Sequence, residues 1–153
     1  MKETKTNKTN YKIITNGVQI ENDAPFLLME AVNDKQVLGY IRANINSFKN
    51  CLEFDTAVEP EHRGQGIATE LLKAMLSSVF EQKAMDECCK KYGNGTETNK
   101  VVLNIDIDNS ASRKVAERVK FKQTDSESRD SVEYSMTKQQ YKALKLEQDA
   151  MKF

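Results

Sequence analysis

The stretch EPEHRGQGIATELL, Glu59 to Leu72, is the best single indicator of the fold, because a turn-forming half is followed by a helix-forming half. It begins with a proline and charged residues, passes through glycines at positions 64 and 66, and ends in residues typical of a helix. Glycine adopts a positive φ at low cost and lets the backbone approach a ligand closely. Directly before a helix, such a turn brings together unpaired N–H groups and the positive end of the helix dipole. The stretch therefore predicts an anion site, suited to phosphate, with Arg63 as a charged donor at its rim.

The segments on either side of this turn have different periods. Residues 51–58, CLEFDTAV, place apolar and acidic side chains on opposite faces, which is typical of a strand. From Ile67 the apolar residues recur every three or four positions. That spacing predicts one long helix continuing towards Lys91 and ending at Gly93.

The rest of the chain alternates short strands with helices. The predicted strands are 11–14, 26–32, 36–45, 101–107, 121–124 and 131–136, and the further predicted helices are 109–119 and 138–148. Thr137 and Gln140 have the spacing of a capping box at the start of the last helix. This order predicts one α/β (α+β) domain with a mixed sheet over residues 11–146. Residues 1–10 are expected to form a flexible tail, and residues 147–153 a C-terminal end that frays.

Composition excludes several classes of protein. The 153 residues include 23 basic and 23 acidic side chains, so no overall charge favours nucleic acid or an anionic membrane. The apolar runs are too short for a membrane anchor, and the N-terminus lacks the pattern of a signal peptide. The three cysteines, Cys51, Cys88 and Cys89, are expected to be reduced thiols with no metal bound. We therefore expect a cytoplasmic protein without nucleic-acid or membrane partners.

Two familiar phosphate-binding motifs fit the turn poorly. A P-loop requires a lysine followed by Ser or Thr after its last glycine, but Ile67 and Ala68 stand there. A dinucleotide-binding fingerprint requires an acidic residue about 20 positions on, at the end of the next strand. Here that distance falls inside the predicted helix, near Asp86. A glycine-rich turn that merely joins a strand to a helix stays open as an alternative.

The segment VEPEHRGQGIATELL, residues 58–72, resembles motif A of the GNAT superfamily, the acetyl-coenzyme A dependent N-acetyltransferases. The family pattern is Q/R-x-x-G-x-G/A, and here Arg63, Gly66 and Ala68 fill it. A second segment, NIDIDNSASRKVAERVKF, resembles the strand and helix that follow motif A in the family, with Asn109 at the end of the strand. The resemblance spans roughly residues 27 to 136 and is closest to the branch of ribosomal-protein alanine and spermidine acetyltransferases.

This resemblance implies a GNAT-like domain, with a mixed, mostly antiparallel central sheet flanked by helices. It implies acetyl-coenzyme A as cosubstrate, no metal, and direct transfer of the acetyl group to a primary amine in a ternary complex. In the family the glycine turn holds the pyrophosphate, a bulge in the preceding strand pairs with the pantetheine arm, and the asparagine contacts that arm. The implied cofactor-binding residues are Ala57, Val58, Arg63, Gly64, Gln65, Gly66, Ile67, Ala68, Thr69 and Asn109.

The sequence departs from the family at three places. Many relatives have a tyrosine general acid seven residues after the asparagine, where this chain has Ala116. Ser112 matches a serine of the alanine-acetyltransferase branch and is a candidate acid, although a serine there can also satisfy N–H groups of the helix. Lys120 replaces a helix-ending glycine, so that turn is expected to be remodelled. Only about a dozen residues separate the first two strands, too few for the helix pair of most relatives.

Candidates for handling a cationic amine are carboxylates near the turn. Glu53 coincides with a glutamate common in the branch and ranks first as a catalytic residue, with Asp55 and Asp106 as weaker substrate-binding candidates. The alternative is that these carboxylates lie on a solvated face. Asn104 stands where some relatives have a catalytic glutamate, but an amide can only orient a substrate or water. The expected acceptor is a small-molecule or protein amine, such as a protein N-terminus, a lysine or a polyamine.

Two other functions, and self-association as a third possibility, remain open on the sequence alone. A cysteine acyltransferase would pair Cys51 with the single histidine, His62. A non-catalytic acyl-coenzyme A binding module would retain motif A without the acid. The protein is expected to be a monomer or a homodimer, and a dimer could form through apolar residues of the C-terminal segment, namely Leu144, Leu146, Met151 and Phe153.

Overall fold

A computed structural model describes residues 10–34, 36–124 and 128–151. The strands are β1 Lys12–Glu21, β2 Ala24–Val32, β3 Val37–Asn46, β4 Cys51–Val58, β5 Lys100–Asp106, β6 Lys122–Thr124 and β7 Ser131–Thr137. The helices are α1 Ile67–Phe80, α2 Asp86–Tyr92, α3 Ser110–Arg118 and α4 Lys138–Ala150. The strands form one sheet in the order β1-β2-β3-β4-β5-β7-β6, in which only β4 and β5 run parallel. The predicted mixed, mostly antiparallel sheet with flanking helices is confirmed.

One apolar core joins the sheet to all four helices. Its members from the helices include Leu71, Met75, Cys89, Ala116 and Tyr141, and its members from the strands include Leu27, Ile41, Phe54, Leu103 and Tyr134. The core residues of each strand mostly alternate with residues of the opposite face, as a pleated strand requires. That opposite face is largely polar and includes Glu30, Arg42, Asn44, Glu53, Asp55, Asn104 and Glu133. Among the described elements, the helices therefore form a single layer on one side of the sheet.

Strands β4 and β5 pair only at their starts. Their register joins Leu52 to Val101 and Glu53 to Val102, and no pair follows. Each strand continues to pair with its outer neighbour, β4 with β3 and β5 with β7. The two strands therefore part and leave a cleft between their C-terminal halves.

The bulge implied by the family resemblance is not found in the β3–β4 ladder. Pairing there is regular from Asn46 and Cys51 to Gly39 and Val58. The expectation of a bulge at Ala57 and Val58 is wrong for this ladder. The inner edge of β4 beyond Glu53 is instead left without a strand partner because β5 diverges.

The predicted long helix from Ile67 towards Lys91 is wrong, since α1 ends at Phe80 and α2 begins at Asp86. Between them the chain turns through Lys83, which has a φ of +57°. The apolar spacing nevertheless continues across the turn, because Met85 and Cys89 are buried in the same core. The apolar spacing therefore predicted the buried residues correctly but did not indicate the break between α1 and α2.

The N-terminal half is a hairpin. Strand β1 is longer than the predicted 11–14 and joins β2 through Asn22 and Asp23, both with positive φ as in a type I′ turn. The two strands follow each other directly, so the prediction that a helix pair has no room here is confirmed. Towards the middle of β1 the register shifts between Thr15 and Val18, around Gly17 with a φ of +73°.

The C-terminal elements follow the sequence closely. Thr137 and Gln140 form the predicted capping box of α4, which runs to Ala150, past the predicted domain end at residue 146. Residues 1–9 of the predicted tail and the last two residues of the C-terminal end lie outside the described residues. Among the described helices, none is long and apolar enough to cross a membrane.

Candidate active site

The glycine turn, residues 63–69, has the backbone conformation that its sequence predicts. Gly64 and Gly66 have φ values of +80° and +85°. A Cβ atom built at either position would meet no atom within 4 Å, so conformation rather than lack of space requires glycine. The Nε of Arg63 donates to the carbonyl of Val58 over 3.1 Å. This bond fixes the turn to the end of β4.

The start of α1 leaves N–H groups for an outside acceptor. The first helical bond runs from the N–H of Glu70 to the carbonyl of Gly66, and the N-cap, Gly66, has no side chain to cap the helix. The N–H groups of Ile67, Ala68 and Thr69 therefore precede the intrahelical ladder. The hydroxyl of Thr69 is buried and has no hydrogen-bond partner within the described structure. These features fit a phosphate-bearing ligand.

A cleft of about 220 Å³ lies where β4 and β5 part. Its lining contains six predicted site or cofactor residues, the polar Asp55, Asn104, Asp106, Asn109 and Ser112 together with Ala68. Its apolar lining includes Phe54, Leu72, Leu103, Val115 and Ala116, none of which was predicted as a site residue. For Phe54 and Leu103, alternation with polar neighbours along β4 and β5 was the signal that could have identified them. The cleft thus has an apolar wall with a few convergent polar groups, as ligand sites usually do.

Asn109 and Ser112 have different roles at the start of α3. The Oδ1 of Asn109 accepts from the backbone N–H of Ser112 over 3.1 Å, so Asn109 is the N-cap. Ser112 is half-buried and lines the cleft. Asn109, and not Ser112, therefore caps α3.

A side-chain network that was not predicted from the sequence holds α3 against the sheet. Arg113 donates from Nη1 to the carbonyl of Ile107 over 3.1 Å and from Nε to the hydroxyl of Tyr134 over 3.3 Å. The Tyr134 hydroxyl donates in turn to Glu117 over 2.7 Å. No sequence signal links these residues, because Tyr134 lies on β7, 21 positions after Arg113. The network fixes the turn that carries Asn109.

Glu53 lies beside the cleft rather than in its lining. Its Oε2 accepts from the amides of Asn46 over 3.1 Å and Asn104 over 3.2 Å. Asn104 is itself in the cleft lining, so it connects the carboxylate to the cleft. Asp55, two residues on and on the same face of β4, lines the cleft directly. Ala57 and Val58 follow at the end of β4, outside the lining.

A cysteine–histidine pair is excluded by distance. Cys51 begins β4, whereas His62 follows the end of that strand and hydrogen-bonds Gln36. Burial, helped by the charge of Glu53, raises the pKa of Cys51 to about 11, which opposes formation of a thiolate. Within residues 10–34, 36–124 and 128–151, no three His, Cys, Asp or Glu side chains are grouped so as to hold a metal ion.

The fold and the glycine turn agree with a family comparison. The family model for the acetyltransferase (GNAT) domain matches residues 2–122, which is most of the chain. The chain therefore belongs to the GNAT acetyltransferase domain family. A search of curated proteins found no significant match.

Solved structures share this fold at low sequence identity. The GNAT domain of S. lividans PAT is 14% identical with a TM-score of 0.59, and the alignment covers 73% of this chain and 60% of that one. The ribosomal alpha-N-protein acetyltransferase RimL, solved with coenzyme A, is 16% identical with a TM-score of 0.57 and coverages of 73% and 62%. The spermidine/spermine N-acetyltransferase SpeG from Vibrio cholerae is 17% identical with a TM-score of 0.57 and coverages of 77% and 70%. The chain spans less than two thirds of the PAT and RimL chains.

Proposed function

We propose that this protein is an acetyl-coenzyme A dependent N-acetyltransferase that acts on a cationic primary amine. The observation that carries the proposal is the meeting of two features. The glycine turn ends in N–H groups suited to phosphate, and it opens beside a cleft with polar groups from two diverging strands. Ala68 belongs to both features, which makes the cleft a direct continuation of the proposed phosphate site.

Residues 63–69 and Asn109 would hold acetyl-coenzyme A. When bound, this cosubstrate supplies an acetyl group activated as a thioester. The chain contributes the N–H groups at the start of α1, the Arg63 guanidinium, and the inner edge of β4, whose backbone beyond Glu53 lacks a strand partner. Unpaired strand edges readily accept an extended ligand.

The acceptor would enter beside Glu53 and Asp55. Two amides hold one oxygen of Glu53, which fixes the carboxylate while its other oxygen can accept from an ammonium group. Asp55 and Asp106 add negative charge at the cleft. RimL and SpeG act on a protein N-terminus and on polyamines, respectively, by their names. These amines are the acceptor classes that we propose to test first, together with lysine.

Proton transfer requires one group to accept a proton from the ammonium and another to supply one to the departing thiolate. We assign the first role to Glu53, directly or through a water held by Asn104. We assign the second to Ser112, whose position in the cleft wall suits a donor. Acyl transfer then proceeds in a ternary complex, with no covalent enzyme intermediate, since Cys51 is buried away from the cleft lining.

One observation favours a second function. Ala116, at the position of the family's acid tyrosine, is fully buried in the cleft wall and has no proton to give. A non-catalytic module that binds acyl-coenzyme A would retain the glycine turn and tolerate this alanine. Turnover separates the two functions.

The test is an acetyl-coenzyme A consumption screen over a panel of amines. The panel contains polyamines, lysine derivatives, peptides with a free N-terminus, and neutral and anionic amines, and Gly66→Glu serves as the inactive control. We expect thiol release and an acetylated product with cationic amines only. Binding without turnover would favour the non-catalytic module, and turnover limited to neutral or anionic amines would contradict the proposed acceptor class.

A further inference from the structure

One edge of the sheet is long and exposed. Strand β1 has ten residues and forms the outer strand, whereas the opposite edge, β6, has only three. Val18 and Ile20 of β1 are 43% and 59% exposed. An exposed edge strand with apolar side chains is a template for pairing with another strand.

Two pairs of residues lie symmetrically about the centre of β1. Ile13 and Ile20 lie at equal distances from the midpoint between Asn16 and Gly17, and Lys12 and Glu21 lie one residue further out. Folding this pattern back on itself therefore sets isoleucine opposite isoleucine and a cation opposite an anion. A strand with this arrangement is complementary to a second copy of itself.

The bulge in β1 makes the symmetry consistent on both faces of the sheet. In a regular strand, residues separated by an odd number of positions lie on opposite faces. The register shift between Thr15 and Val18 adds one residue, so Ile13 and Ile20 both pair with residues of β2 on the core face. Lys12 and Glu21 likewise share the other face. The extra residue is thus what allows this self-pairing.

We propose that β1 pairs antiparallel with β1 of a second copy of the chain. The two-fold axis passes between Asn16 and Gly17, which joins the two seven-stranded sheets into one continuous sheet. Ile13 of one copy lies opposite Ile20 of the other, and Lys12 lies opposite Glu21. Each contact occurs twice because the interface is symmetric.

Other registers lose these contacts. A shift of one residue places side chains of opposite faces against each other. A shift of two residues in one direction sets Ile13 opposite Val18 and leaves Ile20 opposite a residue outside β1. A shift of two residues in either direction separates Lys12 from Glu21. The charges and the apolar residues therefore select the same register.

The proposed edge is connected to the glycine turn. The hydroxyl of Tyr11, directly before β1, donates to the carboxylate of Glu70 in the first turn of α1. Burial and this contact raise the pKa of Tyr11 to about 12, so the hydroxyl keeps its proton at neutral pH. Self-pairing would thus hold the segment that supports the start of α1, although the pairing itself does not depend on the proposed function.

The experiment measures the dimer dissociation constant by sedimentation equilibrium at low salt. The full chain should sediment as a species of twice the 17.4 kDa chain mass. Lys12→Glu and Glu21→Lys each set like charges opposite each other twice, and each should raise the constant by roughly tenfold. The double variant K12E/E21K restores opposite charges and should return within about threefold of the parent.

Two further variants identify the surface. Ile20→Lys should abolish the dimer, while Leu146→Lys, at an exposed leucine of α4, should leave it intact. Circular dichroism confirms that each variant is folded. A parent that stays monomeric at about 50 μM, where a dimer with a micromolar dissociation constant would be mostly associated, would overturn the proposal. A dimer sensitive to Leu146→Lys but not to Ile20→Lys, or failure of the charge swap to restore pairing, would also overturn it.

Discussion

Asn109 and Ser112 share the first turn of α3, and their contacts separate a structural task from a chemical one. The Asn109 side chain caps the helix through the Ser112 N–H, which leaves the Ser112 hydroxyl without a capping role. Ser112 lines the cleft, whereas Ala116 behind it is fully buried. Ser112 is therefore the hydroxyl-bearing residue of α3 best placed to donate a proton.

Ser112→Ala should lower kcat while leaving the Kd for acetyl-coenzyme A within a few-fold of the parent. The helix cap survives, because alanine retains the N–H that Asn109 accepts. A thiol has a pKa of about 8.5, so a thiolate leaves fairly well unaided and the loss should lie near the low end of the ~10²- to 10⁴-fold typical of general acid catalysis. Steady-state kinetics and a binding titration measure the two quantities separately.

Ser110→Ala is the matched control, since Ser110 is exposed in the same turn. It should change neither quantity. Equal kcat in Ser112→Ala and the parent would remove Ser112 from the mechanism and leave water as the proton donor.

At the scale of elements, the end of α3 shows how this chain keeps a turn without the usual glycine. Lys120 has a φ of +79°, and the N–H groups of Lys120 and Phe121 reach back to the carbonyls of Glu117 and Ala116. These two bonds are those of a Schellman motif. The turn that we expected to be remodelled is therefore retained, at the cost of a left-handed lysine.

Lys120→Gly should raise the free energy of unfolding by about 0.5–1 kcal/mol, because glycine relieves the left-handed strain and loses part of that gain to unfolded-chain entropy. Chemical denaturation measures the change. Lys114→Gly, in the exposed middle of the same helix, should instead lower stability by about 1 kcal/mol. A destabilised Lys120→Gly variant would contradict the strain argument.

The network of Arg113 positions α3 relative to β5 and β7. Arg113→Met removes both bonds that tie the helix to Ile107 and Tyr134. Because Asn109 and Ser112 lie in the preceding turn, the KM for acetyl-coenzyme A should rise by about tenfold, as small misplacements of binding groups are costly. Arg118→Met, at an exposed position of α3, is the control. Equal KM values in the two variants would show that the network does not position the site.

Local sequence patterns predicted a strand, helix or turn correctly where the pattern began and ended with that element. Alternation identified β4, and the glycines at 64 and 66 identified the turn with positive φ. The helix predicted from Ile67 to Lys91 failed because Met85 and Cys89 keep the apolar spacing across a turn. Periodicity reports which side chains are buried, and it does not report whether the backbone between them is continuous.

Contacts between strands that are distant in the chain could not be predicted from local sequence patterns. The divergence of β4 from β5, which opens the cleft, depends on pairing between strands more than 40 residues apart. The bonds of Glu53 to Asn46 and Asn104 join three strands and have no local signature. The predicted residues Asp55, Asn104 and Asp106 nevertheless line one cleft, because alternate residues of neighbouring strands share a face.

At the scale of the whole molecule, one side of the sheet has the helix layer and the other is polar among the described elements. The β1–β2 hairpin connects directly where the family resemblance implies a helix pair, and we propose that this opens the acceptor side of the cleft. It also leaves β1 as an exposed edge. One deletion relative to the family pattern therefore shapes both the proposed acceptor entrance and the proposed dimer surface.

The central claim, that the glycine turn binds acetyl-coenzyme A, is tested most directly by calorimetric titration of three proteins. Gly66→Glu places a carboxylate where phosphate should bind, and Gly95→Glu makes the same change at another open glycine with a φ of +80°. Both variants place a glutamate at a similar positive φ, so the backbone strain is comparable. They differ in whether the added carboxylate lies at the glycine turn. We predict one site per chain in the parent and in Gly95→Glu, and affinity weakened by at least about tenfold in Gly66→Glu. Parental affinity in a folded Gly66→Glu variant would contradict the account.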